Sequence, residues 1–353
     1  MSGKLCYKES ISFPGQLWGA LQTAMFDHFD REINYLRVSV TDRCNLRCTY
    51  CMPKEGLSLI GHDDILRYEE YLRIIGAAAQ LGITKVRITG GEPLVRRGVV
   101  EFIDSLRTIP GLTDISLTTN GILLETHADR LFAAGVRRIN VSLDSLDPEK
   151  YAKITRGGNI HSVIRGIRKA REIGFSPIKI NIVAIKGFND NEILDFARLT
   201  LTNPYQIRFI ELMALGNAGI ENNGHFISNS IIMEKIEKLG ALESTGDREL
   251  GSKGPARLYR LPGGMGQIGF ISPMSHHFCH SCNRLRLTAD GHLRACLLSD
   301  NEVDLKTPLR AGDDDKIREL IRGTISRKPK QHELSCDEDH IKKCMKEMQA
   351  IGG

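Results

Sequence analysis

From Asn34 onward the chain alternates between two hydrophobic periods. Short β-branched runs occupy Tyr35–Val40, Lys85–Thr89, Asp114–Thr119, Arg138–Leu143, Ile178–Val183 and Gln206–Leu212. Between them, Tyr68–Leu81, Val99–Arg107, Ala128–Ala134, Ser162–Ile173 and Glu192–Leu201 carry helix-like patterns. Such alternation predicts right-handed βαβ units on a parallel sheet. Six runs of this kind predict an α/β fold, an incomplete TIM-like (β/α)6 barrel. Strands covered on both faces should be apolar throughout, and these are not. Arg37, Ser39 and Thr41 alternate with Leu36, Val38 and Val40, while Lys85, Arg87 and Thr89 alternate with Val86 and Ile88. Ser116, Thr118 and Asn120 repeat the pattern, as do Asn140, Ser142 and Asp144, then Lys179 and Asn181. With the apolar face against the helices, the polar face lines the lumen. An antiparallel sheet with one wet side is the plainer alternative, and the intervening helices argue against it. A wet, cation-lined lumen suits an enzyme that holds a large anion.

Outside this region the pattern changes. Residues 1–33 show no clear period and read as a lead-in packed on the surface. Residues 244–269 are rich in glycine and short of helical period, which reads as hairpins or a linker. A cysteine group, an acidic-to-basic helical stretch and a polar tail ending in Ile351-Gly352-Gly353 follow. The expected division is a lead-in (1–33), a barrel (34–242) and a C-terminal domain (243–353). A chain of 353 residues is long enough for one large α/β domain and a smaller appendage. No apolar run approaches a membrane span; candidates such as Ile74–Leu81 break within a few residues. The first residues resemble neither a secretory signal nor a transit peptide, so a cytoplasmic location is expected. There, nine cysteines are metal ligands or free thiols rather than a disulfide framework. The net charge of +5 permits an anionic ligand and is too small to argue for nucleic acid.

The chemistry concentrates in the cysteines. Cys44-x3-Cys48-x2-Cys51 falls in the loop after the first strand. Three thiolates on so short a loop can hold three corners of a four-iron cluster and leave the fourth iron open. An open iron can chelate the amino and carboxylate groups of S-adenosylmethionine and pass an electron to its sulfonium. A zinc site or a redox dithiol is the competing reading, but zinc sites usually pair one Cys-x2-Cys with a second, distant pair. Tyr50 packs either on an adenine or merely within its loop. In the second group, Cys279-x2-Cys282-x13-Cys296, zinc competes on equal terms, since His276, His277 and His280 offer a fourth ligand. Cys6, Cys336 and Cys344 match no motif.

The first triad, with an aromatic before its third cysteine, resembles the radical S-adenosylmethionine superfamily. RITGGEP agrees, with Gly90-Gly91-Glu92 at the end of the second strand. Glycines allow close backbone approach, and in the superfamily this segment meets the methionine amino group. Ser142 in VSLDSLD and Met213 in RFIELM match positions that contact the rest of that cofactor. The run FCHSCNRLRLTADGHLRACL is in turn similar to the molybdenum cofactor biosynthesis protein A family, the GTP 3′,8-cyclases. The likeness extends from about Asn34 to Gly353 through VTDRCNLRCTYCMP, RITGGEPLVRRG, LTTNGILL, VSLDSLD, RFIELM and the terminal glycine pair.

This resemblance implies a radical-SAM-type barrel with a C-terminal iron–sulfur domain. It implies two 4Fe–4S clusters, one on Cys44, Cys48 and Cys51 and one on Cys279, Cys282 and Cys296, whose open iron binds the guanine of GTP. Arg284 and Arg286 would contact the nucleotide, and Arg37, Lys85, Arg87, Thr118, Lys179 and Arg208 match its nucleotide and phosphate site. Several of these are cations that strand alternation already sets in the lumen, where a desolvated triphosphate needs charge-assisted donors. The Gly352-Gly353 tail, by itself an ordinary frayed end, would enter the barrel and act in catalysis. In the implied reaction a 5′-deoxyadenosyl radical removes the 3′ hydrogen of GTP, and C3′ joins C8 of guanine. The product is 3′,8-cyclo-7,8-dihydro-GTP, the first intermediate of molybdopterin synthesis. Implied partners are an electron donor such as flavodoxin or ferredoxin and a downstream cyclic pyranopterin monophosphate synthase. A homodimer stays open, and neither nucleic acid nor a membrane is expected as a partner.

Two other classes compete. A peptide-modifying radical enzyme with an auxiliary cluster would lack the Arg284/Arg286 pair and the Gly-Gly end. A non-enzymatic metal-binding module leaves GGEP and the polar lumen unexplained. The chain departs from the family at Ala214, where many relatives have proline, so the loop Leu215–His225 is expected to differ in shape. The lead-in has no family counterpart.

Overall fold

Alternate apolar side chains build β1 (Tyr35–Ser39), β2 (Lys85–Thr89), β3 (Asp114–Thr119), β4 (Arg138–Ser142), β5 (Ile178–Ala184) and β6 (Gln206–Glu211). The computed structural model describes residues 24–213, 215–216, 223–246, 254–332, 344, 346–349 and 351–352. Cys6, Cys336, Ala214, Gly353 and most of the loop after Met213 lie outside the described residues. The six strands pair in chain order and all parallel. Their register aligns Arg37, Arg87, Ser116 and Arg138 across β1 to β4. Helices α1 (Tyr68–Gln80), α2 (Val99–Ser105), α3 (Leu124–Ala133), α4 (Pro148–Thr155), α5 (Ile160–Ile173) and α6 (Ile193–Thr202) lie between them in the chain.

Leu36, Val38, Val86, Ile88 and Ile139 share one buried core with Tyr71, Ile74, Ile75, Val163 and Ala170 of the helices. Each fully buried aliphatic or aromatic side chain contributes roughly 1.5–3 kcal/mol relative to exposure. That core uses up the apolar face of every inner strand and turns the polar face inward. α4 is a helix that the hydrophobic pattern did not predict. It starts where the Asp147 carboxylate accepts from the amides of Glu149 (2.8 Å) and Lys150 (3.0 Å), with Pro148 in its first turn.

The C-terminal part adds α7 (Asn229–Glu237), β7 (Glu243–Ser244), β8 (Arg257–Arg260), β9 (Gln267–Ile271), β10 (Arg284–Leu287), β11 (His292–Arg294) and β12 (Val303–Asp304). It ends in α8 (Lys306–Arg310) and α9 (Asp314–Ser326). These strands do not form a sheet of their own. β9 joins β6 and β10 joins β1, both parallel, and antiparallel strands extend each edge. The result is one 12-stranded sheet in the order β12-β11-β10-β1-β2-β3-β4-β5-β6-β9-β8-β7. The described part of the glycine-rich stretch, outside residues 247–253, contributes to an antiparallel meander. Ion pairs from Arg73 to Asp314 (2.6 Å) and from Arg310 to Glu70 (2.9 Å) tie the last helices to α1.

Residues 24–33 correct the expectation of a surface lead-in. Ile33 is fully buried, and Arg31 and Asp27 form a buried ion pair at 2.6 Å. The Arg31 guanidinium donates to the carbonyls of Cys279 (2.6 Å) and Pro329 (2.7 Å). Distant backbone acceptors order this segment, so no hydrophobic period marks it.

Candidate active site

The polar strand faces enclose a cavity of about 360 Å³. Arg37, Lys85, Arg87, Arg138, Lys179, Arg208, Arg284 and Arg286 line it, against two carboxylates, Asp114 and Asp144. Asp114 is paired with Arg138. Burial, reinforced by Arg286 and Arg87, holds Arg37 well below the usual arginine range. Burial also pulls Arg208 and Arg286 down to about 9, with Arg87 and Arg284 adding repulsion. A lumen this crowded with buried cations is relieved by a polyanion. Thr118 is on the wall, and its buried hydroxyl has no partner among the described residues. Tyr35 stands there too. Burial raises its phenol, but Arg87, Arg37 and Arg284 outweigh that and bring it below its ordinary value.

All three cysteines of the first triad face this cavity from the loop after β1. The end of α4 anchors that loop: the amides of Arg47 and Thr49 donate to the carbonyls of Thr155 (3.1 Å) and Ile154 (2.9 Å). The Leu46 amide and the Asn120 side chain donate to Cys44 Sγ at 3.4 and 3.8 Å. Burial pushes Cys48 well up and Cys51 to about 12, helped by the neighbouring cysteines and Asp144. Thiols so placed keep their protons unless a metal takes the proton's place. Among the described residues, no three Cys, His, Asp or Glu side chains gather as a single ion requires. The three cysteines of the first triad, on one short loop facing the cavity, are a donor set that fits an iron–sulfur cluster.

Tyr50, Ser142 and Met213 line the same cavity. The Tyr50 hydroxyl donates to Asp144 at 2.7 Å, and the other Asp144 oxygen accepts from the Val183 amide at 2.8 Å. Burial lifts the Asp144 carboxyl to about 6. Gly90 and Gly91 are also on the wall, and their shape has a local reason. A Cβ on Gly91 would sit 2.4 Å from the Arg43 carbonyl oxygen, so only glycine lets the two backbones pack. The Gly91 and Glu92 amides donate to the carbonyls of Thr41 (2.7 Å) and Arg43 (2.9 Å), fixing the segment that leads into the triad. The Glu92 side chain is fully buried and lies away from the cavity wall. It accepts from the Leu94 amide (3.0 Å), the Thr119 hydroxyl (2.8 Å) and the Asn120 amide (2.6 Å), bracing β2 against β3. Burial raises it to about 7.

The second triad lies at the opposite end of the barrel. Cys279 and Cys282 precede β10, which runs parallel to β1 with Arg284 beside Tyr35, and Cys296 follows the antiparallel β11. One triad thus sits where β1 starts and the other beyond where it stops, with the cations between. All three cysteines of the second triad line the cavity. Burial raises Cys282, but Arg284 and Lys328 outweigh it and bring the thiol to about 6. Buried Lys328 donates to the Arg284 carbonyl at 2.8 Å, and Arg31 holds the Cys279 carbonyl. His276, His277 and His280 are exposed. Gly352 lies inside the barrel, its carbonyl accepting from Arg286 (3.2 Å) and the Thr89 hydroxyl (3.3 Å).

Two family models match the chain: the Radical SAM superfamily over residues 38–200 and Molybdenum Cofactor Synthesis C over residues 205–334. The GTP 3′,8-cyclase of Alkaliphilus oremlandii is 48% identical over 313 residues, covering 89% of this chain and 96% of its own. That of Moorella thermoacetica is 51% identical, covering 88% and 95%, and that of Thermodesulfovibrio yellowstonii 50%, covering 93% and 100%. The chain belongs to the GTP 3′,8-cyclase family. A crystal structure of Streptococcus suis SuiB bound to S-adenosylmethionine superposes with a TM-score of 0.54 at 15% identity, covering 82% of this chain and 67% of that one. That likeness concerns the fold alone. Membership of the radical SAM superfamily implies one 4Fe–4S cluster and S-adenosylmethionine, for which the first triad and the wall around it are suited.

Every cation anticipated for the GTP 3′,8-cyclase site lines the cavity, and among the described residues the Glu92 side chain lies away from it. Arg138 was not anticipated, although its place two residues before Asn140 sets it on the polar face. Asp114 and Tyr35 were legible in the same way, by parity. Arg31 and Lys328 had no sequence signal, because each acts on backbone carbonyls far along the chain. No helix among the described residues is long and apolar enough to cross a membrane.

Proposed function

We propose that this chain converts GTP into 3′,8-cyclo-7,8-dihydro-GTP in the first step of molybdenum cofactor biosynthesis, and that each triad has its own task. The carrying observation is the field of lumen cations between two cysteine triads on one cavity. Cys44, Cys48 and Cys51 would hold the cluster that, with S-adenosylmethionine, supplies a 5′-deoxyadenosyl radical. Cys279, Cys282 and Cys296 would hold a second 4Fe–4S cluster with an iron open to guanine; the cations beside Cys282 favour its thiolate. Arg37, Lys85, Arg87, Thr118, Lys179 and Arg208 bind the nucleotide and its triphosphate, joined by Arg284 and Arg286 beside the second triad. Tyr50, Ser142, Met213 and the Gly90–Gly91 backbone shape the S-adenosylmethionine end. Holding both molecules in one enclosed lumen makes a bimolecular step effectively intramolecular and keeps water from the radical. Gly352 completes the enclosure at the reacting atoms, and Gly353, which lies outside the described residues, would act in the same step.

The enzyme would work in the cytoplasm with a low-potential donor such as ferredoxin or flavodoxin, and pass its product to a cyclic pyranopterin monophosphate synthase. The test is an anaerobic reaction of the reconstituted enzyme with S-adenosylmethionine, dithionite and GTP deuterated at C3′. Deuterium should appear in 5′-deoxyadenosine in step with the cyclised nucleotide. Turnover with no label transfer would overturn the assignment.

A further inference from the structure

The tail that brings Gly352 into the barrel is held at several points from Cys344 inward, and the grip involves residues with no other evident task. At its outer end Cys344 pairs with Leu215 in a parallel bridge, and the Gly216 amide donates to the Cys344 carbonyl at 3.0 Å. The Cys344 thiol, raised to about 11 by burial and Asp300, donates to the Asp300 carboxylate at 3.2 Å and toward the Leu297 carbonyl at 3.7 Å. Two residues on, Lys346 Nζ donates to Glu302 at 2.5 Å. The other Glu302 oxygen accepts from Arg294, a fully buried guanidinium at 2.5 Å. Farther in, the Gln349 side chain donates to the Asp42 carbonyl, and Glu347 and the Gln349 backbone stand close enough to Cys51 to shift its thiol. Ile351 is buried, and Gly352 accepts from Arg286.

The loop supplying Leu297, Asp300 and Glu302 begins at Cys296, the last cysteine of the second triad. A buried arginine holds Glu302 in one place, and Glu302 in turn offers its free oxygen to the tail. We infer that the loop Leu297–Glu302 is a clamp that positions the C-terminal tail for turnover, Glu302 and Asp300 acting as positioning residues through Lys346 and Cys344. The clamp makes the tail's seat depend on the loop that begins at Cys296. This inference rests on the reading that the tail acts in turnover.

Lys346 is the site to test, because it lies at the partly exposed end of the clamp, away from the core. Lys346→Glu sets a carboxylate against Glu302, whereas Lys346→Arg keeps the pair. In reconstituted holoenzyme, Lys346→Glu should retain the wild-type iron content and bind GTP within about twofold of wild type. Its turnover should fall at least tenfold, and hydrogen exchange in the peptide spanning residues 344–353 should speed up. Lys346→Arg should restore both. Normal turnover with normal exchange in Lys346→Glu would overturn the clamp, and so would loss of iron, which would make the loop a cluster scaffold. Deleting Gly352 and Gly353 separates the two readings. If that truncation turns over normally, the catalytic tail fails, while the exchange result still decides the clamp.

Discussion

Arg284 and Arg286 are two residues apart on one strand and face different duties. Arg286 is buried and bonded to Gly352, whereas Arg284 lies over the Phe278 ring at 4.9 Å and lowers the Cys282 thiol. Both line the cavity, so both are expected to meet the nucleotide, but Arg284 is the cation that acts most strongly on the Cys282 thiol. Replacing both by alanine removes two charge-assisted contacts at about 1.5–3 kcal/mol each, so GTP affinity should fall at least tenfold by anaerobic calorimetry. Arg286→Ala alone should keep its full iron content, while Arg284→Ala should reconstitute more slowly at neutral pH as Cys282 reverts toward a thiol. Unchanged GTP affinity in the double variant would mean that the arginines serve packing alone. Glu92 teaches the opposite lesson. A motif match placed it among cofactor contacts, yet its carboxylate is consumed by three local donors, and only the glycines before it face the cavity.

The inner strands were legible because period two survives wherever one face is buried and the other wet. β2 and β3 match the expected spans, and the other inner strands differ by a residue at one end. α4 was not legible: the pattern between β4 and β5 announced one helix, and the capping residue Asp147 was the sign passed over. The flanking strands β9 and β10 were not legible either: β10 pairs with β1 from more than 200 residues away and β9 with β6 from about 60, and such distant parallel pairing leaves no local trace. The β10–β11 hairpin carries its own electrostatic lock. A hydrogen bond and ion pair with Asp290 at 3.2 Å hold His292 above its ordinary value. Burial pushes Asp290 up, but His292 and Thr288 outweigh it and hold the carboxyl well below the usual range. The histidine's share is full below its unfolded pKa of about 6.5 and fades as pH rises through its higher folded value. The aspartate's share is full above about pH 3.9 and fades as pH falls toward its lower folded value. This hairpin should therefore be firmest between roughly pH 4 and 6.5. His292→Asn should flatten the loss of melting temperature above that window; an unaltered pH profile would show that the pair does not couple to folding.

Across the molecule, one continuous sheet places the two triads at opposite ends of a cation-lined lumen, and this separation makes their roles separable by mutation. Reconstituted protein should hold about eight irons, four for each triad. Cys48→Ser should abolish cleavage of S-adenosylmethionine while leaving GTP bound. Cys282→Ser should keep some cleavage but stop cyclisation, and zinc at the second triad by metal analysis would remove the second cluster from the scheme. Between the triads, Gly352 offers the sharpest single change. It has φ 68, and an added Cβ would sit 2.7 Å from Ser39 Cβ and 2.8 Å from the Thr89 hydroxyl, both on the wall of the barrel. Gly352→Ala thus meets a steric obstacle and a backbone penalty of roughly 1 kcal/mol. Nothing in the main core depends on this residue, so melting temperature and iron content should hold. The tail has to leave its seat between β1 and β2, and Arg286 then loses the Gly352 carbonyl while keeping its place for GTP. Affinity should stay within about twofold, and turnover should drop at least tenfold, because loss of positioning is expensive for a radical transfer made intramolecular. The decisive measurement is single-turnover formation of 5′-deoxyadenosine and cyclised nucleotide in the same tube. If both appear at the wild-type rate, the tail's seat in the barrel has no part in the chemistry.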